Sequence, residues 1–130
     1  MRKSFAASLA GAGIALLVST QALAGAREIY KCRIADGASY EDILAANEIY
    51  RTAMNRAGFS DYKVELMYPL YDSDTRPGTV YWQGTSPGME RLGAANDWFW
   101  FHEDAAESRA LFEKAMVCES AYMFFTEALE

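Results

Sequence analysis

The chain has 130 residues, of which 52% are hydrophobic and 14% aromatic, and this composition is too apolar for a disordered protein. The length allows one domain and excludes a multidomain enzyme, and neither a Gly-x-Gly-x-x-Gly dinucleotide fingerprint nor a Gly-x-x-x-x-Gly-Lys phosphate loop occurs. With 18 acidic and 12 basic residues the formal net charge is −6, which argues against nucleic acid as a partner, because phosphate contacts need a basic surface.

Residues 1–24 have the pattern of a secretory signal peptide. A positive start is followed by an apolar, small-residue run over residues 5–18 and by an A-x-A cleavage motif at residues 22–24. An uncleaved membrane anchor is the alternative, but polar and glycine interruptions of the run favour cleavage after Ala24. We expect a single periplasmic or secreted domain over residues 25–130, without membrane association. Loss of two basic and no acidic residues would take its net charge from −6 to −8.

Both cysteines, Cys32 and Cys118, remain after this cleavage. In an oxidising compartment two thiols most simply form one disulfide, which here would close a loop of 85 intervening residues. Chain-entropy estimates give such a loop roughly 4 kcal/mol of stabilisation. A redox-active thiol is the alternative, because Lys31 and Arg33 flank Cys32 and neighbouring cations favour a thiolate. The sequence favours the structural disulfide.

The domain begins with a predicted strand and a predicted helix. Residues 28–34 alternate, with β-branched or aromatic residues at most apolar positions, which is typical of a strand. Ser39 then has the position of a helix N-cap, with Asp42 at the capping-box position. Apolar residues recur at helical spacing from Ile43 until a stop at Gly58.

Two further strands are predicted next. Residues 61–71 alternate again, and Pro69 near their end indicates an edge strand, because proline cannot donate to a ladder. In the loop that follows, Asp72 and Asp74 are similar to the start of a calcium loop, but the remaining ligands are not in register, and turn chemistry explains both acids better. Residues 79–83 form the next short strand.

The second half of the domain is predicted to be largely helical. A turn at residues 84–88 leads into a helix that reaches at least Phe101, bends at residues 102–104 and continues as a second helical stretch to about Val117. Residues 121–128 would close the chain as a strand, although helix stays open for so short an apolar run.

The turn Gly84-Thr85-Ser86-Pro87-Gly88 matches the G-x-S-x-G pattern of a hydrolase nucleophile elbow and lies between a predicted strand and helix. The oxyanion hole of such an elbow uses the backbone N–H of the residue after the serine, and Pro87 has none. We therefore predict no catalytic residue here. Ser86 is interpreted instead as the N-cap, and Pro87 as the first residue, of a helix that starts near Met89.

The predicted element order is β-α-β-β-α(α)-β, a ferredoxin-like α+β arrangement in which an antiparallel sheet of order 4-1-3-2 carries its helices on one face. The first and last strands adjoin in that order, which agrees with a Cys32–Cys118 bond. On this order the chain resembles the dimeric α+β-barrel group of ferredoxin-like proteins, which includes small monooxygenases and stress-responsive barrels. It is also similar to small exported proteins of Gram-negative bacteria. The resemblance implies a homodimer whose two sheets pair face to face around a cavity.

Strand alternation divides the sheet side chains into two sets. One set, facing the helices, includes Tyr30, Cys32, Val64 and Trp82. The other set would face away, either into solvent or into the cavity of a dimeric barrel, and it comprises Lys31, Arg33, Lys63, Glu65, Met67, Tyr81 and Gln83.

The aromatic residues 98–101 point around almost the whole of the predicted helix, so some of them cannot face its own core. A subunit contact is one interpretation, and an aromatic wall of a ligand pocket is the other. His102, the only histidine, follows in the helix break, where a surface or capping role is favoured. The predicted ligand pocket combines these features and comprises Lys31, Arg33, Lys63, Glu65, Tyr81, Gln83, Trp98, Trp100 and His102.

Some dimeric-barrel proteins degrade haem with an Asn, a Trp and a His in one pocket. This chain has such residues in Asn47, Asn96, Trp82 and His102, but they do not match position by position. One histidine and two bridged cysteines cannot form a zinc site. We therefore predict no metal and no cofactor.

Two functions remain open. The absence of a catalytic motif favours a non-catalytic module that binds a small-molecule ligand or takes part in an interaction. The alternative is a small dimeric-barrel enzyme, a cofactor-independent or haem-handling monooxygenase-like protein, which only the topology supports. Fold alone does not imply a reaction.

Overall fold

The computed structural model describes residues 25–70 and 76–127. The predicted signal peptide, the loop acids Asp72 and Asp74 and the last three residues lie outside this range. The described elements are β1 Gly25–Ile34, α1 Tyr40–Arg56, β2 Lys63–Met67, β3 Thr79–Ser86, α2 Met89–Phe101, a one-turn 3-10 helix Glu103–Ala105, α3 Ala106–Ala115 and β4 Met116–Thr126.

The strands form an antiparallel sheet of order β2-β3-β1-β4, which confirms the predicted ferredoxin-like order. The three α-helices pack on one face of this sheet around Trp82. Its ring contacts Tyr50 of α1 and Phe112 of α3, with centroids 5.9 and 6.3 Å away, and Phe99 of α2 contacts both of those rings. We call the opposite face, which carries Lys31, Glu65, Tyr81, Gln83 and Tyr122, the open face.

The predicted cap and stop of α1 are confirmed. The Ser39 hydroxyl accepts a hydrogen bond from the Asp42 N–H at 3.4 Å, and the Asp42 carboxylate accepts one from the Ser39 N–H at 2.7 Å. Gly58 has a φ of +89°, in the left-handed region where a side chain is strained. The helix buries the apolar stripe Ile43, Ala46, Tyr50 and Met54.

The predicted turn at residues 84–88 is wrong, and so is the predicted cap of α2. β3 continues to Ser86, because Thr85 and Ser86 pair with Arg27 and Ala26 of β1. The N-cap of α2 is Gly88, which offers no side-chain hydrogen bond, and Pro87 precedes it outside the helix. Cross-strand pairing has therefore overridden the local turn and cap preferences of the Gly-Ser-Pro sequence.

The last segment is a strand, β4, that begins five residues earlier than predicted and pairs with β1 along its length. Cys118 lies within this strand, directly opposite Cys32, and the two are disulfide-bonded as expected. β2 is an edge strand, as predicted, and ends at Met67 before Pro69. None of the helices in the described residues is long and apolar enough to cross a bilayer.

Candidate functional site

Glu28 is a carboxylate buried on the helix-bearing face of β1, with 3% of its surface exposed. Its Oε2 accepts hydrogen bonds from the Tyr30 hydroxyl at 3.2 Å and from Asn96 Nδ2 at 3.0 Å, and its Oε1 accepts one from the Tyr62 hydroxyl. All three donors are neutral, and no Lys, Arg or His of the described chain forms an ion pair with Glu28. Since a buried carboxylate is costly without hydrogen bonds, this shell is what makes its burial tolerable.

Gly84 makes room for the Tyr62 contact. It pairs with Glu28 of β1 on one side and with Val64 of β2 on the other, so the Tyr62 ring lies across its Cα. A Cβ at Gly84 would lie 2.5 Å from Tyr62 Cζ and 3.1 Å from Glu28 Oε1. The first of these distances is shorter than the contacts that real Cβ atoms make. Gly84, the first glycine of the G-x-S-x-G match, therefore allows the Tyr62 hydroxyl to approach the Glu28 carboxylate closely.

The donors are fixed by their own contacts. Asn96 Nδ2 also donates to the Leu92 carbonyl at 3.1 Å, which holds the amide along α2. Burial, and secondarily the negative charge of Glu28, raises the pKa of Tyr30 above its ordinary range. Burial likewise raises the pKa of Tyr62, with the neighbouring Tyr50 and Glu28 adding to it. Both phenols therefore remain protonated donors toward the carboxylate.

A cavity of about 230 Å³ opens beside Glu28, between the helix-bearing face of the sheet and helices α2 and α3. Six of its twelve lining residues are aromatic, and four others have polar or charged side chains. The lining residues are Glu28, Tyr30, Tyr50, Trp82, Asn96, Phe99, Trp100, Arg109, Phe112, Glu113, Met116 and Cys118. We call it the Glu28 cavity.

Trp100 and Arg109 shape the wall contributed by the helices. The Trp100 indole lies beside the Tyr30 hydroxyl at the cavity wall, and this contact partly offsets the rise in the pKa of Tyr30. Arg109 Nη1 donates to the carbonyl of Phe99 and, at 3.1 Å, to that of His102. Through Nη1 the Arg109 guanidinium thus joins α2 to α3 at their corner.

The sheet separates the predicted pocket residues into two groups. Six of them lie on the open face, where Gln83 is buried and its Nε2 donates to Glu65 Oε2 at 2.8 Å. Trp98, Trp100 and His102 lie on the other side of the sheet, in or next to α2. Of the nine predicted residues, only Trp100 lines the Glu28 cavity. The open-face residues are Lys31, Arg33, Lys63, Glu65, Tyr81 and Gln83.

Trp98 and His102 have roles in packing and helix capping. His102 Nδ1 accepts a hydrogen bond from the Asp104 N–H at 3.2 Å and caps the 3-10 helix, while Trp98 packs on Phe59. Asn47, one of the two asparagines considered for a haem pocket, accepts a hydrogen bond from the Trp82 indole at 2.9 Å. Neither His102 nor Asn47 lines the Glu28 cavity, so the residues present do not fit the haem arrangement considered from the sequence. Within residues 25–70 and 76–127, no cluster of three metal-ligating side chains occurs.

The sequence reading missed Glu28, Tyr62 and Gly84. A signal for Glu28 was present, because it shares the strand face of Tyr30 and Cys32 and thus puts a carboxylate on the face predicted to meet the helices. Two of its three donors come from other segments, Tyr62 from the loop before β2 and Asn96 from the middle of α2. Their convergence depends on strand register and helix placement, which local patterns do not encode.

The comparisons with known proteins find similar folds and no close relatives. No family model matches the chain, and no curated protein is significantly similar in sequence. Among solved structures, a dimeric ferredoxin-like protein of unknown function from Thermobifida fusca is 17% identical, with a TM-score of 0.50 over 79% of this chain and 92% of that one.

Two enzymes have the same fold. SnoaB, a cofactor-independent oxygenase from Streptomyces nogalater, is 6% identical, with a TM-score of 0.52 over 82% of this chain and 96% of that one. Hydroxynitrile lyase from Passiflora edulis is 17% identical, with a TM-score of 0.51 over 83% and 96%. With the strand order and the helices on one face, these likenesses confirm the expected resemblance: the chain has the ferredoxin-like α+β fold that these proteins share.

Proposed function

We propose that this domain binds a small organic molecule in the Glu28 cavity, with a flat apolar body against the aromatic walls and a hydrogen-bond-donating head on the Glu28 carboxylate. The observation that carries the proposal is a buried carboxylate with only neutral partners at the edge of an aromatic cavity. Apolar walls with a few fixed polar groups are the usual form of a ligand pocket.

The cavity volume limits the ligand to one or two rings. Its volume of about 230 Å³ exceeds that of a protein cavity of about 150 Å³ known to bind benzene, and it is smaller than the roughly 300 Å³ at which drug-sized pockets begin. A carboxylate has roughly four acceptor positions and Glu28 accepts three hydrogen bonds, so it retains capacity for one donor on the ligand.

Tryptophan fluorescence tests this proposal, because Trp82 and Trp100 line the cavity. One-ring alcohols and phenols should change the emission of the mature protein saturably. Glu28→Gln should weaken their binding about tenfold or more, since the lost contact is a charge-assisted hydrogen bond. Glu107→Gln, an exposed carboxylate on α3 outside the cavity, is the matched control and should bind as the wild type does. Equal affinity in both variants, or no saturable change with any ligand, would refute the proposal.

An enzymatic role is the second candidate, supported by the same carboxylate. Glu28 is a proton acceptor at the cavity, with Tyr30, Tyr62 and Asn96 to hold it in place, so it could remove a proton from a bound substrate. The two functions predict different results for Glu28→Gln. If the protein is an enzyme, Glu28→Gln abolishes turnover while the substrate still binds. If it is a binding module, neither the wild type nor the variant converts the bound ligand.

We also propose that the mature domain is a homodimer that pairs through the open face. The Thermobifida fusca protein of this fold is described as dimeric. On the open face of β4, Tyr122 and Phe124 are 54% and 46% exposed and their rings stack with centroids 6.4 Å apart. Apolar surface of this kind is a common feature of subunit contacts.

Export is proposed as well, on the signal-peptide pattern of residues 1–24. The Cys32–Cys118 disulfide agrees with an oxidising compartment. Mass spectrometry of the periplasmic or secreted protein should give an N-terminus at Gly25. A mature protein that retains Met1 would contradict export by this route.

A further inference from the structure

The Glu28 cavity has an unbalanced negative charge. Glu28 and Glu113 are its two acidic residues, and Arg109 is the one basic residue among those that line it in the described chain. The Arg109 guanidinium donates to the carbonyls of Phe99 and His102 and makes no ion pair with either glutamate among the described residues. Glu28 therefore has no ion-pair partner among the residues that the structure describes.

Aromatic rings surround this carboxylate. The rings of Tyr30 and Trp82 meet edge to face with centroids 5.6 Å apart, and Tyr30 bonds directly to Glu28. The Trp100 ring closes the cavity wall next to Tyr30. Aromatic faces attract cations through the ring quadrupole, and they do so most strongly where water is excluded.

We propose that the ligand of the Glu28 cavity is an organic cation, a primary or secondary ammonium group carried on a one- or two-ring apolar body. This inference rests on the proposed function and specifies the charge of the ligand. The ammonium group supplies the ion-pair partner that Glu28 lacks, donates to the Glu28 carboxylate and lies against the rings of Tyr30, Trp82 and Trp100.

A positive charge on the ligand would also favour its association with this acidic protein. The net charge of the whole chain is −6. A surface of this sign raises the local concentration of cations and repels carboxylate ligands. Glu113, exposed on α3 at the cavity, extends the negative potential outward from the buried carboxylate.

Three one-ring probes of nearly equal size test the inference on the mature, disulfide-bonded protein at neutral pH. They are 2-phenylethylamine, 2-phenylethanol and 3-phenylpropanoate, which carry a cation, a neutral donor and an anion. Isothermal titration calorimetry should show the amine binding at least about tenfold more tightly than the alcohol, because its hydrogen bond to Glu28 is charge-assisted on both sides. The anion should bind more weakly than the alcohol.

Glu28→Gln should remove the preference for the amine, and Glu107→Gln should preserve it. Thermal melting establishes that each variant is folded, and the ligand series on the wild type decides the matter even if Glu28→Gln does not fold. An alcohol that binds as tightly as the amine, or an anion that binds more tightly, would overturn the inference while leaving the proposed cavity site in place. A wild type that binds none of the three probes would overturn both.

Discussion

At the scale of single residues, the site depends on how one carboxylate is kept inside the fold. Tyr30 and Tyr62 remain protonated, because burial raises the pKa of both, so they act only as donors toward Glu28. Asn96 adds a donor whose protonation does not change with pH. Glu28 is consequently the acceptor on which this shell converges, and its interaction with a ligand is the property on which both candidate functions depend.

Gly84 is the residue whose substitution tests this shell most simply. Gly84→Ala places a methyl group where the Tyr62 ring lies, so Tyr62 must move away from Glu28. Loss of a hydrogen bond to a buried carboxylate, together with overpacking, should lower the free energy of unfolding by about 2–4 kcal/mol in urea titrations.

Gly93→Ala is the matched control, because Gly93 lies in α2 and a Cβ there meets nothing within 4 Å. This substitution should raise the free energy of unfolding by about 0.5–1 kcal/mol through helix propensity. If Gly84→Ala were as stable as the wild type, the contact between Tyr62 and Glu28 would not have the role given to it here.

At the scale of elements, the two serines proposed as caps have different environments. Ser39→Ala should lower the free energy of unfolding by about 0.5–2 kcal/mol, because it removes the cap of α1. Ser39 also lowers the pKa of Asp42, first through its backbone N–H and then through its hydroxyl. Ser39→Ala keeps the backbone N–H and removes only the share of the hydroxyl. That share is present above the usual Asp value of 3.8 and is lost as the pH falls through the lowered pKa, so the Ser39→Ala penalty should shrink in acid.

Ser86→Ala provides the contrast. Ser86 is 6% exposed, and its hydroxyl has no hydrogen-bond partner in the described structure. An alanine there should leave the free energy of unfolding unchanged or raise it slightly, because a buried, unbonded hydroxyl is unfavourable. A loss of 1 kcal/mol or more, as for a cap, would restore the role that the sequence suggested for Ser86.

The elements show which parts of the fold local patterns can predict. The capping box of α1, the stop at Gly58 and the edge position of β2 depend on neighbouring residues and were predicted correctly. The end of β3 was not, because pairing of Ser86 with Ala26 depends on a strand about 60 positions away. The site was missed for the same reason, since Tyr62 and Asn96 reach Glu28 only through the tertiary fold.

At the scale of the whole molecule, the open face and the Glu28 cavity lie on opposite sides of the sheet. Pairing of two copies through the open face would leave the cavity within each subunit. Ligand binding therefore does not require the dimer, and the two proposals can be tested independently.

Tyr122→Glu tests the dimer. Light scattering at micromolar concentration should give about twice the mass of one mature chain for the wild type. The variant should give the mass of one chain, because each subunit would bring a carboxylate that must be desolvated, and a like charge, to the contact. Phe101→Glu is the control, since Phe101 is 83% exposed at the end of α2, away from the open face. Dissociation by Phe101→Glu alone would instead place the contact on the surface of residues 98–101.

The most direct test of the central claim is a crystal structure of the mature protein grown with saturating 2-phenylethylamine and, in parallel, with 2-phenylethanol. The ring should have density between Trp82, Trp100 and Phe112, with the ligand head about 2.7–3.2 Å from a Glu28 carboxylate oxygen. A ligand bound on the open face, or a Glu28 cavity that contains only water in both crystals, would contradict it.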